Sequence, residues 1–326
     1  MAAMVRAFFP AMTADATILG EDIALIKRKE NDLLEETLSL AEQDYGEAYR
    51  YLMKAYEEQP DRCGPQTLYF LACLAGGSHR PEAALAWLQK AILDKGWWYR
   101  PEVLADDDLA ALQDNAAFLA AKALSDARYA EAASSAKAVF SWQGKTADRL
   151  FLAVHGNTQN GQIAREDWAP LLAGHPSCQL ETVQSAEPDC YGTYRWRYDR
   201  TAFLPVAEAM QQMQDAGYAR VVCGGFSAGC DMLLRAVLLS PARCDTLLLQ
   251  SPWLPILQDC TEDVVSALQR KVIDLRIFCG AEDEDCLPMA RQLHEAACRA
   301  GLRASLIIQM GCRHQFPEKP LSLDNL

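Results

Sequence analysis

The stretch ARVVCGGFSAGCDMLLRAVLL, from Ala219 to Leu239, decides how the second half of this chain is read. An apolar run ends in the pair Gly224-Gly225, Ser227 stands two residues further on, and a leucine-rich run with helical spacing follows. That order predicts a strand, a tight turn and a helix. Gly225-Phe226-Ser227-Ala228-Gly229 has the form G-x-S-x-G. The pentapeptide by itself is weak, because glycine and serine are common residues; its place between strand and helix makes it specific. To swing straight from strand into helix with a side chain raised over the sheet, the backbone at Ser227 must enter a strained conformation. The residues two positions away must then be small. The hydroxyl would stand at a helix N-terminus, where amides and the helix dipole favour developing negative charge.

Working outward, β-rich runs occur at Arg149 to Gly156, Cys178 to Ser185, Ala219 to Gly225, Asp245 to Ser251, Leu275 to Gly280 and Ala304 to Met310. Helical stretches such as Ala202 to Ala216 and Pro288 to Ala300 lie between most of them. Strands that are apolar on both faces and alternate with helices predict an α/β fold, with a mostly parallel sheet covered on two sides. In such sheets the working residues sit beyond the carboxyl ends of the strands.

A serine hydroxyl needs a base, and histidine has the suitable pKa. Of the five histidines, His79 belongs to the helical half, His175 to the loop LAGHPS and His294 to a helix interior; all three read as surface or structural. His314, in GCRHQFP just past the last strand, is the candidate base. A carboxylate at the end of an intervening strand should orient its imidazole. FCGAEDEDCLP offers four acids after Gly280. Asp283, three residues past that glycine, is the first choice and Asp285 the alternative.

The chain order Ser227, Asp283, His314 resembles that of the α/β-hydrolase superfamily over residues 146–326. The resemblance implies a three-layer sandwich and extends to LAVHGNTQN, which is similar to the segment supplying one oxyanion-hole amide. By that resemblance the backbone N–H groups of Asn157 and Ala228 form the oxyanion hole, His155 is structural, and neither metal nor cofactor is required. Cys230, at the opening of the helix, reads as packed. No large cap fits between Ser251 and the strand at Leu275, so the hydrolase half is similar to the compact branch of carboxylesterases, acyl-protein thioesterases and dienelactone hydrolases. It departs from the last group, whose nucleophile is cysteine. Tyr194, Trp196 and Tyr198 alternate in CYGTYRWRYDR and suggest an aromatic wall for an acyl or aryl group, with an edge extension or a packed loop as the other reading. Trp253 is a further candidate for the substrate pocket.

The first half has a different period. From Glu21 to about Ala133 its apolar residues recur at helical spacing. GEAYRYLMKAYEEQP lies over PEAALAWLQKAILDKG, with Ala48, Leu52 and Ala55 recurring as Ala84, Leu88 and Ala91. The interval is close to the roughly 34 residues of a tetratricopeptide repeat. TLYFLACLAGGSHRPEAALAWLQKAIL, with Ala72 facing Ala84, resembles that family over residues 35–125. The division expected is a flexible start at 1–20, an all-α tetratricopeptide-like domain at 21–133, a linker or edge strand at 134–145, and the hydrolase domain at 146–326. With about two repeats, the array is expected to dock on the hydrolase, to self-associate or to hold a protein partner.

The 326 residues carry a net charge of -13, which argues against a polyanionic partner and so against nucleic acid. Pro10 and Thr13 cut the first apolar run short of a signal peptide, and no run reaches the length of a membrane span. Twelve cysteines are scattered without a C-x-x-C pair, and most sit in apolar runs as reduced thiols do. A soluble cytoplasmic protein is expected. Two functions follow: a serine hydrolase acting on a small-molecule ester or thioester, or an interaction protein whose hydrolase fold is a non-catalytic binding module.

Overall fold

The computed structural model describes residues 30–316, apart from Gly174 and Pro176. The flexible start expected at residues 1–20 lies outside the described residues. The chain divides into two compact units at Ser135/Ala136.

The first unit is helical. Its helices are α1 (Glu30–Gln43), α2 (Tyr45–Glu58), α3 (Pro65–Gly77), α4 (Pro81–Gln89) and α5 (Ala116–Ser135). A π-turn at Lys90–Asp94 prolongs α4. α3 is the centre of this unit, buried along its length from Thr67 to Ala75, so its sequence is apolar all round rather than on one stripe. The recurring small and large residues Ala48, Leu52, Ala72, Ala84 and Leu88 are all buried, where alanine lets helices approach and leucine fills the gap. Pro65 and Pro81 each open a helix, where a missing N–H costs nothing.

The second unit is built on a seven-stranded sheet. Its strands are β1 (Val139–Phe140), β2 (Arg149–Val154), β3 (Cys178–Gln184), β6 (Arg220–Phe226), β7 (Cys244–Gln250), β8 (Val272–Gly280) and β9 (Ala304–Gln309), in the order β1-β3-β2-β6-β7-β8-β9. Only β1 runs antiparallel, at the edge beside β3. β4 (Glu187–Cys190) and β5 (Thr193–Arg195) form a separate hairpin. Side chains alternate across β2: Phe151 and Ala153 pack with Trp168 of α6 (Gly161–Leu172), while Leu150, Leu152 and Val154 join a larger core on the other face. That larger core takes in α7 (Leu204–Asp215), α8 (Ala228–Leu239), α9 (Leu257–Lys271) and α10 (Cys286–Arg299). Three layers result, as the two-sided apolar strands require. Among the described residues, no helix is long and apolar enough to cross a membrane.

Candidate active site

Three loops at the carboxyl ends of β6, β8 and β9 build the site. Between β6 and α8, Ser227 has φ 51° and ψ -122°, a left-handed conformation that a non-glycine residue adopts only under constraint. The constraint is visible. The Ser227 N–H donates to the Gln250 carbonyl at 3.1 Å, and the Ser227 carbonyl accepts from the amides of Cys230 at 3.0 Å and Trp253 at 3.3 Å. The two glycines of the motif are set by close approach: a Cβ on Gly225 would lie 2.9 Å from the Cys230 nitrogen, and one on Gly229 would lie 2.5 Å from the His155 carbonyl oxygen. The second contact presses the start of α8 against the end of β2. Ala228 is the first residue of α8, where the amides have no intrahelical acceptor.

After β8 the chain turns into α10 and places Asp283 in the interior. After β9 it returns across the end of β8, where a Cβ on Gly280 would collide with the Cys312 carbonyl oxygen at 2.2 Å. That crossing delivers His314, whose Nδ1 lies 2.9 Å from Asp283 Oδ2. Asp285 instead flanks the start of α10. Burial pushes the Asp283 carboxyl upward, but His314 beside it and hydrogen bonds from the Cys286 amide and the Ser251 hydroxyl outweigh this and hold it below the ordinary carboxylate value. Asp283 therefore stays ionised. The ring of His314 packs on Phe226, the residue before Ser227, at 5.1 Å between centroids. Two cysteines also reach the pair: Cys286 Sγ is 3.4 Å from His314 Nδ1, and Cys279 Sγ is 3.8 Å from Asp283 Oδ2.

His155 is fully buried and its ring nitrogens are both engaged, Nδ1 with the Gly156 carbonyl at 2.6 Å and Nε2 with the Ser185 amide at 3.0 Å. Burial pulls its pKa down to about 4, so the ring is neutral and serves as a strut between β2 and β3. The Gly156 amide is taken by Gln159 Oε1 at 2.9 Å. Asn157 Oδ1 accepts the Trp196 amide at 2.7 Å, which fixes the turn carrying the Asn157 backbone.

One sequence expectation needs correction. Trp196 is not a wall open to substrate: it is 2% exposed, stacks on His155 and donates its indole N–H to the His155 carbonyl at 2.8 Å. Alternation along TYRWRY suggested three residues on one face, but β5 ends at Arg195, and the chain beyond it turns Trp196 inward. Tyr194 is half-buried in β5 and its amide donates to the Gln159 carbonyl at 2.7 Å. Trp253 is half-buried in the loop after β7. Sequence reasoning passed over Gln250, Ser251, Cys279 and Cys286 as parts of the site. Ser251, buried with φ 44°, left no signal because its role is defined by a partner 32 positions away.

Residues 29–133 match the family described as A/B hydrolase-like, N-terminal domain. No curated protein matches the chain. Among solved structures, it is similar to an uncharacterized protein from Bacillus cereus ATCC 10987, at 27% identity over 88% of this chain and 94% of that one, with a TM-score of 0.49. It is also similar to esterase PE8, at 15% identity over 56% and 92% of the two chains with a TM-score of 0.45. A third is Zea mays acyl-protein thioesterase 2, at 13% identity over 56% and 94% with a TM-score of 0.39.

Proposed function

We propose that this chain is a serine hydrolase of the α/β-hydrolase superfamily, cleaving a carboxylic ester or thioester through an acyl-enzyme. The observation that carries this reading is the buried His314–Asp283 pair at 2.9 Å, on loops that converge beside the strained turn of Ser227. An ionised carboxylate at Nδ1 is the partner a general base needs, because it fixes the imidazole tautomer and stabilises the imidazolium that forms during turnover.

In this mechanism the Ser227 hydroxyl attacks the substrate carbonyl carbon and gives its proton to His314 Nε2. The backbone amides of Asn157 and Ala228 bind the oxygen as it becomes negative, so they lower the barrier rather than merely holding substrate. His314 then protonates the departing alcohol or thiol, the carbonyl re-forms as an ester on Ser227, and water repeats the sequence to release the acid. Tyr194 and Trp253 are assigned to the walls of the substrate pocket.

The test is labelling with a fluorophosphonate probe, with mass spectrometry to find the modified residue. An adduct on Ser227, together with a loss on the order of 10⁴ to 10⁶ in ester turnover for a well-folded Ser227→Ala variant, is the expected result. Equal turnover by the two proteins would overturn the reading.

A further inference from the structure

The acid loop carries more chemistry than ester hydrolysis needs. Asp283 is bracketed by two thiols, Cys279 from the end of β8 and Cys286 from the start of α10, and both turn toward the His314–Asp283 pair. A carboxylate oxygen of Asp283, the sulfur of Cys286 and a ring nitrogen of His314 all lie within 4.8 Å of one another, and all three residues are buried. We infer that Asp283, Cys286 and His314, with Cys279 beside them, form a trap for a thiophilic divalent cation of the zinc class, and that its capture switches the proposed hydrolase off.

The donor types are those zinc selects: imidazole nitrogen, thiolate sulfur and carboxylate oxygen. The spacing agrees as well. Tetrahedral zinc with Zn–N and Zn–O near 2.0 Å and Zn–S near 2.3 Å sets its ligand atoms about 3.3 to 3.8 Å apart. The separations here are 2.9 Å for nitrogen to oxygen, 3.4 Å for sulfur to nitrogen and 3.8 Å for the second sulfur to oxygen. The remaining separation among Asp283, Cys286 and His314 lies within 4.8 Å, so closing the shell requires the side chains to draw together around the ion.

The inhibitory effect follows from the imidazole. A cation on Nδ1 takes the lone pair there and drives the remaining ring proton to Nε2. That nitrogen then has no lone pair for the Ser227 proton, and Asp283 no longer orients the ring. On binding, the Cys286 thiol releases its proton to solvent, so the ion enters as a thiolate complex.

This inference rests on the hydrolase reading above, and its test separates the two. Full-length protein carrying Cys298→Ala is used, because exposed Cys298 lies 3.4 Å from His294 Nε2 and offers a surface site of its own. Cobalt(II) is titrated as a spectroscopic stand-in for zinc, and ester turnover is followed with zinc and with chelator. The expected result is a sulfur-to-cobalt charge-transfer band saturating at one ion per chain, and a loss of at least about tenfold in turnover that chelator reverses. Both should vanish on adding Cys286→Ala, with turnover compared with that variant's own metal-free rate; Cys286→Ser serves if the alanine form does not fold. No band, a band that persists in both Cys286 variants, or full turnover with the ion bound would overturn the inference. If metal-free Ser227 takes the fluorophosphonate while those negative results stand, the hydrolase reading survives alone. A metal-binding chain whose Ser227 never reacts would overturn the inhibitory role together with the hydrolase reading.

Discussion

Gln250 holds Ser227 from one side and the loop of His314 from the other. Its main-chain carbonyl accepts the Ser227 amide at 3.1 Å, while its side-chain Nε2 donates to the carbonyl of Gln315 at 2.8 Å and to Gln309 Oε1 at 3.0 Å. One buried residue at the end of β7 therefore sets the position of the proposed nucleophile against that of the proposed base. Gln250→Leu keeps the main-chain bond and removes the side-chain tether. Turnover should fall by about 10²-fold, the scale of a 1 Å misplacement of reacting groups. KM should change little, and fluorophosphonate labelling of Ser227 should slow in proportion to kcat.

The two acidic candidates separate cleanly. Asp283→Asn should cost about 10⁴-fold in kcat, because the amide favours the wrong imidazole tautomer. Asp285→Asn should leave kcat within about twofold, since that residue flanks α10 and not the imidazole. Steady-state rates on one short-chain ester decide this, and a comparable loss in both variants would overturn the assignment.

His155 makes folding stability depend on acidity. Its pKa falls from an ordinary 6.5 to about 4 on folding, so between those values the unfolded chain binds more protons than the folded one. The stabilisation is complete above pH 6.5 and is lost as the pH drops toward 4, on the order of 3 kcal/mol in all. Asp283, held below its ordinary value, adds a second loss below about pH 3.8. Urea unfolding at a series of pH values should show the first slope in the wild type and a flatter one in His155→Gln.

Trp196 should act on stability and not on substrate choice. Trp196→Phe keeps most of the packing and leaves the His155 carbonyl without its donor, at a cost of about 1 to 3 kcal/mol. Relative kcat/KM values across a series of acyl chain lengths should be unchanged. A redistribution of those values would restore Trp196 to the pocket wall.

Much of this architecture was legible in the sequence. The strand, turn and helix around Ser227, the alternation of apolar runs with helices, and the helical first half all rest on residues close together in the chain, whose periodicity and turn chemistry act locally. The β4–β5 hairpin was harder to read, because two strands of four and three residues leave too short a pattern.

What only the tertiary structure decided depends on segments distant in the chain. Asp283 meets His314 across 31 positions because the return after β9 crosses Gly280; spacing from that glycine ranks Asp283 above Asp285, but only the crossing brings its carboxylate to the imidazole. Trp196 turns inward because the His155 carbonyl needs a donor and its ring a stacking partner. Gln250, Ser251, Cys279 and Cys286 join the site for the same reason: their chemistry comes from the groups that parallel strands bring to one end of the sheet, and residue type alone does not announce it.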